Sequence, residues 1–563
     1  MLQFKGTQQP NNTALYIIFS GFVIIHHLLV FLGYYGMDDL NYSIYAAQLV
    51  KGEVLNWNTT DHFELRWVPI YITAFFYKLF GINDFSSAAF GIFTTLLAGL
   101  FILKFIQREN TALKFLTLIL FFLNYNVLYA SHRLWPDTAV AVFAFLSFYV
   151  YYKKDDEKNQ FLSAGIFTLL LFLSFLSKET TIFLVPLWIF FLLRDLTQKR
   201  NQQFWIFSAI LIFLVGIIYL GMFYVKTGDW FYRYTVLTAN QYEGICDFAR
   251  LPFLETAKRI GYTLWNAFLL NGDLIFLYIG LCGYVYRKKI FRSKKAQDIA
   301  VAFIILLISA NFMTISFTHY VPLCHDPRHF MFLFPFAAIL GAYIMMAYYK
   351  TPKEFPLLLI VSWTITILVF IIPSGETKYI YLLISLVLLL TYFRKSFKLH
   401  FYKETGFILL IALILMIRPI NDIFQNRFAF YKDLKGLVTT RYLNNQSRIL
   451  VLTGDVLTTE ISEHTLQYKT GNIQFEPLKS GAILANNYDT VHLLVNKHST
   501  PILHDSVQVK LLNSKSLNII QQDGLITLYE IQDRNILFTL PNNEIPEQKK
   551  ISKLLSELNN TSK

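Results

Sequence analysis

Long blocks of apolar residues, separated by short polar loops, dominate this sequence from residue 13 to residue 420. A helix needs about 20 predominantly apolar residues to cross a bilayer, and most of the blocks approach or reach that length. Apolar residues make up 55% of the chain and charged residues only 15%, whereas about a quarter of the residues in soluble proteins are charged. The sequence therefore predicts a polytopic α-helical membrane protein and excludes an ordinary soluble enzyme.

Hydropathy indicates about thirteen transmembrane helices. They are predicted at residues 13–34, 86–106, 112–130, 135–152, 161–177, 180–194, 204–225, 264–286, 298–318, 329–349, 355–373, 378–393 and 405–420. The first block is too long for the core of a signal peptide, and no Ala-x-Ala-like cleavage site follows it. We therefore interpret it as a retained first span.

The loops between the spans form two alternating sets that differ in charge. One set is rich in basic residues and is predicted to be cytoplasmic. Its basic residues are Arg108, Lys114, Lys153, Lys154, Lys158, Arg194, Lys199, Arg200, Arg287, Lys288, Lys289, Arg292, Lys294, Lys295, Lys350, Lys353, Arg394, Lys395, Lys398 and Lys403. The other set, with long loops at 35–85 and 226–262, then faces outward, and the N-terminus is cytoplasmic. The net charge of +13 comes mainly from basic residues in these short loops, where membrane topology accounts for them. No nucleic-acid partner is therefore predicted.

The apolar blocks end near Arg427. Residues 1–424 are predicted to form a transmembrane domain, and residues 425–563 a C-terminal soluble α/β domain on the outer side. Within the second region, 448–457, 490–496, 507–513 and 525–531 have the composition of strands.

Two adjacent acids, Asp38 and Asp39, follow the first span in the run GYYGMDDLNY. Carboxylates at the membrane surface can take up protons in a reaction. The structural alternative is that they cap the helix that follows, because Asp is a preferred N-cap residue. Later in the same loop, Trp67 to Phe80 is apolar but too short to span, so it is predicted to lie in the interface.

A polar cluster of Asp61, His62, Glu64 and Arg66 precedes this interfacial segment. Acids mixed with a cation at the edge of an apolar element can bind a phosphate headgroup or a metal ion. The alternative is a solvated loop with a local ion pair, which suits Asp61 better than Arg66.

Other polar residues collect at the predicted outer ends of the spans. They are His132, Arg133 and Asp137 in SHRLWPD, Lys178 and Glu179 in LSKETT, and His319, His325, Asp326, Arg328 and His329 in THYVPLCHDPRHF. Asp137 also suits helix capping. Arg328 has the planar fork that matches phosphate oxygens. The histidines match no metal-binding spacing, and a disulfide between Cys246 and Cys324, both in outward loops, stays open.

In order, the segments GMDDLNY, ELRWVPIYITAFFYKLFG, RLWPD, LSKETT and DPRHFMFLFPF resemble those of GT-C glycosyltransferases. The resemblance is to the family 39-like branch that contains protein O-mannosyltransferases and the aminoarabinose transferase that modifies lipid A, and it covers residues 13–350. The resemblance depends on the order of these motifs and on their predicted location at the same side of the membrane, since no single motif is specific. Relatives often have Lys-Pro-Pro after the acid of the second cluster, where this chain has Arg66 and a lone Pro69.

The resemblance implies a GT-C fold with interfacial helices in the first outer loop. It implies transfer of a hexose or pentose from a polyprenyl-phosphate donor to a lipid, glycan or protein acceptor on the outer face, usually with inversion. It also implies a bacterial inner membrane location with a periplasmic active site. Metal dependence stays open, with a divalent ion as one candidate cofactor, and no organic cofactor is expected.

Residue roles follow from the same resemblance. Asp38 matches the family's catalytic base, Asp39 is the reserve candidate, and Asp137 resembles a second acid that orients the acceptor or the base. The candidates for binding the donor phosphate are Arg66, Lys178, Arg328 and Arg133. The candidates for acceptor or metal contacts are His62, Glu64, Glu179, His325 and His329.

Three other classes of protein are alternatives. A lipid-linked polysaccharide polymerase or ligase shares the substrate and the membrane side, but it concentrates its residues in later outer loops. A transporter usually places its charges near the bilayer midplane on broken helices, whereas here they collect at one surface. A noncatalytic assembly subunit would use the acids only structurally.

Overall fold

The computed structural model describes residues 12–537, except 32, 35, 158, 242–247, 249–250, 292, 318, 373–374, 376, 395, 397–402, 425–428, 470, 479–481, 498–515 and 535–536. The chain divides into two compact units. The helical unit comprises Met1–Phe31 and Tyr35–Arg427, and the C-terminal unit comprises Leu32–Tyr34 and Phe428–Lys563.

The described part of the helical unit contains helices α1 to α20. They are α1 Asn12–Val30, α2 Met37–Val50, α3 Trp67–Phe80, α4 Asp84–Phe105, α5 Thr111–Phe122, α6 Tyr125–Ser131, α7 Pro136–Lys153, α8 Gln160–Ser177, α9 Val185–Thr197, α10 Gln202–Thr227, α11 Tyr232–Gln241, α12 Phe253–Lys258, α13 Leu264–Leu270, α14 Leu274–Val285, α15 Arg287–Ile290, α16 Lys294–Phe312, α17 Phe334–Lys350, α18 Pro356–Ile371, α19 Thr377–Phe393 and α20 Glu404–Phe424. Short 3₁₀ segments at Glu179–Leu184, Pro327–Leu333 and Pro352–Glu354 precede α9, α17 and α18, and a π-helical turn at Arg259–Thr263 precedes α13.

Each of the thirteen predicted spans falls on a helix or on a bent helix pair of the described chain, so the prediction of a polytopic helical membrane protein is confirmed. By length and composition, eight described helices are able to cross a membrane, and ten if each of two bent pairs counts as one span. The bent pairs are α5 with α6 and the α12–α13 segment with α14. The 14-residue α3 is apolar but too short to span, as predicted for an interfacial helix.

Local sequence explains where several of these helices begin. Asn124 lies between the end of α5 and the start of α6. Its side chain accepts a hydrogen bond from the Val127 backbone N–H at 3.0 Å and so caps the N-terminus of α6. Pro136 opens α7, a position at which its missing N–H costs nothing. Gly91 allows α4 to pack under the turn before α7, since a Cβ there would meet the Ser131 carbonyl oxygen at 2.7 Å.

Most residues of the segment from Pro327 to Lys350 are buried, and α7 is also buried along most of its length. Both lie in the middle of the helical unit. Because the first residues of these two elements carry Asp137 and Arg328, the packing places both side chains at one end of the helix bundle.

The C-terminal unit has an α/β core. Its described elements are α21 Ala429–Tyr442, β1 Ile449–Thr453, α22 Val456–Thr465, β2 Ile473–Pro477, β3 Thr490–Asn496, β4 Leu517–Asp523 and β5 Ile526–Ile531. The sheet order is β2-β1-β3-β5-β4, with β1 parallel to β2 and β3, and β5 antiparallel to β3 and β4. Leu450, Leu452, Leu493 and Val495 are fully buried or nearly so in its core.

The predicted strands at 448–457, 490–496 and 525–531 overlap β1, β3 and β5, which confirms the mixed α/β prediction. The fourth, at 507–513, lies outside the described residues. Sequence patterning missed β2 and β4. In β4 the burial pattern is weak because it is an edge strand, so alternation of polar and apolar residues is poorly marked.

Candidate functional site

Three ion pairs lie together at one end of the helical unit. Their side chains come from the first turn of α2, the residue before α3, the first turn of α7, the α8–Glu179 junction and the segment that opens at Pro327. Five chain segments that are distant in sequence therefore supply one polar cluster.

The first pair joins Arg66 to Glu179. Arg66 Nε donates to Glu179 Oε2 at 3.1 Å, Arg66 Nη2 donates to Glu179 Oε1, and Arg66 Nη1 donates to the Tyr42 hydroxyl at 2.6 Å. The two charged side chains are only 6% and 10% exposed. Arg66 and Glu179 therefore form a bidentate ion pair, which is the strongest geometry for an arginine–carboxylate contact.

The second pair joins Lys178 to Asp137 and includes His329. Lys178 Nζ lies 2.8 and 3.0 Å from the two Asp137 carboxylate oxygens. His329 Nδ1 lies 3.0 Å from Lys178 Nζ and 3.1 Å from Asp137 Oδ1. Asp137 is 3% exposed, so this carboxylate is held inside the protein by two partners.

The third pair joins Asp38 to Arg328 and is more open to solvent. Arg328 Nη2 donates to Asp38 Oδ2 at 3.0 Å, and Arg328 Nε lies 3.1 Å from Asp326 Oδ2. The Arg328 guanidinium also lies over the Trp135 ring, 5.0 Å from its centroid. The Asp38 side chain is 46% exposed, which makes it the most accessible carboxylate of the three pairs.

Electrostatics link the three pairs. Burial lowers the pKa of Lys178, Asp137 opposes that shift, and the nearby charges of Arg66 and Arg328 lower the pKa further. The cations of all three pairs therefore act on one another within a single site. A polyanion bound here would relieve this repulsion.

His62 lies at the edge of the same site. Its ring contacts the Phe63 ring in a tilted arrangement, with centroids 4.1 Å apart, and its Nδ1 lies 3.8 Å from Asp61 Oδ1. Burial lowers the pKa of His62 to about 4, and the charge of Arg66 adds to the effect. The imidazole is therefore neutral at pH 7, so it can accept or donate a hydrogen bond but adds no positive charge.

Two of the candidate acids hold the backbone. Asp39 is buried and accepts a hydrogen bond from the Gly36 N–H at 3.2 Å, so it caps α2 from within the first turn. The N-cap position itself belongs to Gly36, whereas the structural alternative had placed the acids before the helix. Glu64 is also buried, and its Oε1 accepts a hydrogen bond from the Asn56 N–H. Neither carboxylate is presented to the cluster by these contacts.

Two other candidates point to different neighbours. Arg133 lies over the Tyr129 ring at 4.8 Å, and its charge acts on His132, whose pKa is lowered chiefly by burial. His325 lies against Phe248, and burial together with the charge of Arg259 lowers its pKa to about 4. These contacts are made with residues other than the six charged residues of the three ion pairs.

No group of three or more His, Cys, Asp or Glu side chains is arranged to hold a metal ion within the residues that the structure describes. Cys324 is disulfide-bonded and Cys282 is free and buried. Cys246 lies outside the described residues.

Sequence reasoning missed three residues that build the site. Tyr42 bonds Arg66, and Trp135 lies under Arg328. Arg259 is fully buried and donates to the Asn311 and Leu323 carbonyl oxygens at 2.7 and 2.9 Å, which ties down the loop that leads to Arg328. Of these three, Tyr42 alone could have been predicted from the sequence, because it lies four residues after Asp38 and so on the same face of α2.

Comparison with known proteins identifies a family domain and a fold. Residues 67–221 match the family described as dolichyl-phosphate-mannose-protein mannosyltransferase. A search of curated proteins found no match. The matched segment contains Asp137, Lys178 and Glu179 of the cluster and begins directly after Arg66.

Among solved structures, ArnT from Cupriavidus metallidurans is similar over nearly the whole chain. Its apo form aligns with a TM-score of 0.58 and 11% identity over 93% of this chain and 99% of that chain. The form bound to undecaprenyl phosphate aligns with a TM-score of 0.59 and 11% identity over 92% and 98%. The chain is thus a polytopic membrane protein with the GT-C fold of ArnT, and its residues 67–221 are similar to the family described as dolichyl-phosphate-mannose-protein mannosyltransferase.

Proposed function

We propose that this protein is a membrane glycosyltransferase that transfers a sugar from a polyprenyl-phosphate donor to an acceptor hydroxyl or phosphate. The observation that carries the proposal is the cluster itself: an accessible carboxylate, Asp38, lies 3.0 Å from Arg328 and beside two buried cation–carboxylate pairs. A base next to several cations is what displacement at a sugar–phosphate bond requires. The family match and the ArnT fold support this reading.

Asp38 is the proposed base. The acceptor oxygen attacks the anomeric carbon, its proton passes to Asp38, and the bond from that carbon to the phosphate oxygen breaks. The electron pair leaves with the polyprenyl phosphate, and the configuration at the anomeric carbon inverts. Asp38 fits this role better than Asp39 because Asp39 is buried and caps α2.

Arg328, Lys178 and Arg66 are the proposed partners of the leaving phosphate. Arg328 is the first contact, since its side chain is 18% exposed against 9% for Lys178 and 6% for Arg66. Each cation already has a carboxylate partner. Binding of a phosphate therefore exchanges anions around the cations, and the displaced Asp38 becomes free to take the acceptor proton.

Asp137 is a positioning residue in this proposal. Its carboxylate is buried and accepts from Lys178 while also lying against His329. It fixes both side chains at the rim of the site, and it is too enclosed to meet the acceptor directly.

The proposed location is a bacterial inner membrane, with the site and the C-terminal unit on the periplasmic face. The alternation of basic loops supports this sidedness. ArnT has been observed bound to undecaprenyl phosphate, and we propose the same class of prenyl donor here. The transferred sugar is proposed to be a hexose or pentose, and the acceptor a lipid, glycan or protein.

The function is tested with purified protein in nanodiscs and a panel of radiolabelled polyprenyl-phosphate monosaccharides, plus membrane extract as acceptor. Wild type is expected to consume one donor, and Asp38→Asn is expected not to. Glu53→Gln, an exposed acid in the same loop, is the matched control and should behave as wild type. Equal consumption by wild type and Asp38→Asn would refute the assignment of the base.

Sidedness is tested separately by cysteine labelling. Thr60→Cys and Lys294→Cys are expected to react with a membrane-impermeant reagent from opposite faces. Labelling from the same face would contradict both the topology and the proposed periplasmic site.

A further inference from the structure

A polar cavity lies at the end of the helical unit opposite the candidate site. It has a volume of about 190 Å³ and is lined by the last turns of α7 and α9, the residues that follow these helices, and the first two turns of α16. The 18-residue α7 starts at the candidate site and ends at this cavity, so about 27 Å of helix separates them. That distance is close to the hydrocarbon thickness of about 30 Å. The cavity therefore lies at the opposite membrane surface from the site.

Positive charge exceeds negative charge around this cavity. Five cationic and three acidic side chains line it. The cations are Lys154, Arg194, Arg200, Lys294 and Lys295.

The deeper charges are tied to one another. Lys154 Nζ lies 3.3 Å from Asp195 Oδ2, and both side chains are 4% exposed. Arg194 donates to the two Asp298 oxygens at 2.5 and 3.0 Å. These pairs join α7, α9 and α16 and leave the floor of the cavity nearly neutral.

The excess positive charge lies at the rim. Lys295 Nζ lies 3.5 Å from Asp155 Oδ2 and 3.5 Å from Asp156 Oδ1. Arg200 and Lys294 are the other two rim cations, and in the described part of the chain neither has an acidic partner within 4.0 Å. A ligand with negative charge would supply the missing partner.

The backbone at the rim also favours an anion. Asn201, which lines the cavity, precedes the 26-residue α10 and contributes no side-chain cap, so the first N–H groups of that helix keep their donor capacity. Lys199 and Asn201 on either side of Arg200 have φ values of 53° and 50°, a left-handed conformation that lysine rarely adopts. The turn that presents Arg200 is therefore held in an unusual shape.

Apolar surface continues away from the cavity along the flanking helices. Leu196 on α9 and Ile206 on α10 are 43% and 56% exposed. A cavity of about 190 Å³ is smaller than the roughly 300–1,000 Å³ of pockets for drug-sized ligands, so it suits a phosphate headgroup rather than a whole nucleotide sugar. Basic pockets between membrane helices at this depth bind anionic headgroups.

We propose that this cavity binds the phosphate headgroup of an anionic membrane lipid, whose acyl chains lie on α9 and α10. Arg200, Lys294 and Lys295 contact the phosphate, and the Lys154–Asp195 pair forms the floor. The site is separate from the candidate glycosyltransferase cluster and does not depend on that function.

The test measures lipid binding to the full-length protein by native mass spectrometry, with phosphatidylglycerol, phosphatidylcholine and inorganic phosphate as probes. Wild type should retain phosphatidylglycerol in preference to phosphatidylcholine. The double variant Arg200→Ala/Lys294→Ala should weaken that binding on the order of 30-fold, since each basic side chain near a membrane surface contributes about a five-fold factor. Lys353→Ala, an exposed cation at the same end of the bundle, is the matched control.

Two results would overturn the proposal. Retention of phosphatidylglycerol by the double variant as strong as by wild type would remove the rim cations from any lipid site. Inorganic phosphate that competes fully with the lipid at the same concentration would assign the cavity to a free anion. Because the readout is binding, neither result depends on whether the donor assay detects transfer.

Discussion

Replacing Glu179 with Gln tests whether the Arg66–Glu179 pair is as buried and as strong as its geometry indicates. Gln has the shape of Glu but no charge, so the substitution leaves the Arg66 guanidinium enclosed with the Tyr42 hydroxyl and no carboxylate in hydrogen-bond contact. Lys178 lies close enough for its pKa to be lowered by Arg66, so repulsion between the two cations also increases.

The expected cost follows from the burial of both side chains. Removing one partner of a buried ion pair destabilises a protein by about 3–5 kcal/mol, because an uncompensated charge stays inside. Replacing both partners with apolar residues of similar volume is often neutral or stabilising by about 1–4 kcal/mol. Glu179→Gln should therefore lower the free energy of unfolding by about 3–5 kcal/mol, and the double variant Arg66→Met/Glu179→Leu should recover most of that loss.

The assay is unfolding of the protein in mixed micelles as denaturing detergent is increased, followed by tryptophan fluorescence, with donor consumption measured on the same samples. Glu53→Gln is the control for a charge change in an exposed position and should lie within about 0.5 kcal/mol of wild type. The double variant should be stable but inactive, because it lacks the Arg66 contact to the donor phosphate. Wild-type stability of Glu179→Gln would show that the Arg66 charge is not enclosed without its carboxylate partner. An active double variant would remove Arg66 from the proposed mechanism.

Three further outcomes are expected. Since the pKa of Lys178 is lowered by burial, its charge is lost as pH rises through a value below the ordinary lysine range of about 10.4. The KM for the donor should rise there, and Lys178→Arg should shift that rise to higher pH in steady-state kinetics. Burial raises the pKa of Glu460 from 4.5 to about 7, so its stabilising contribution is complete below about pH 4.5 and is lost as pH rises through 7. At pH 8, hydrogen exchange of β1 and β3 should be slower in Glu460→Gln than in wild type, and the free energy of opening calculated from it should be higher by on the order of 1–2 kcal/mol, after allowance for the partial exposure of Glu460. At pH 4 the two proteins should have the same free energy of opening. Asp39→Ala should lower the free energy of unfolding by about 1 kcal/mol through loss of the α2 cap. Asp38→Asn should lower it by less than about 0.5 kcal/mol, because the Asp38 side chain is about half exposed. Unfolding in denaturing detergent measures both values.

Hydropathy predicted the helical membrane architecture because the signal is local. A block of about 20 apolar residues has few alternatives to a buried or membrane helix. Bends are harder to predict, since the 65° bend between α5 and α6 depends on the capping contact of one residue, Asn124. The burial of α7 around Asp137 also depends on packing that hydropathy does not report.

The site was partly predictable because acids and cations at the ends of apolar blocks are costly and stand out. The pairing was not predictable, since Asp38 and Arg328 are separated by 290 positions in the chain. The family resemblance ranked Asp38 above Asp39, but the residue types and their adjacency alone do not distinguish the two acids. The difference arises from the helix geometry, which turns Asp39 back to the Gly36 N–H and leaves Asp38 at the surface.

Whether Asp38 is the base is decided by an experiment that separates donor binding from turnover. Equilibrium binding of the radiolabelled donor and the single-turnover rate are measured for wild type, Asp38→Asn and Arg328→Ala. Asp38→Asn should bind donor at least as well as wild type, because it removes a negative charge beside the phosphate, and should turn over roughly 10²–10⁴-fold more slowly, as loss of a general base implies. Arg328→Ala should bind donor weakly. A wild-type turnover rate in Asp38→Asn, with donor binding intact, would show that Asp38 is not the base.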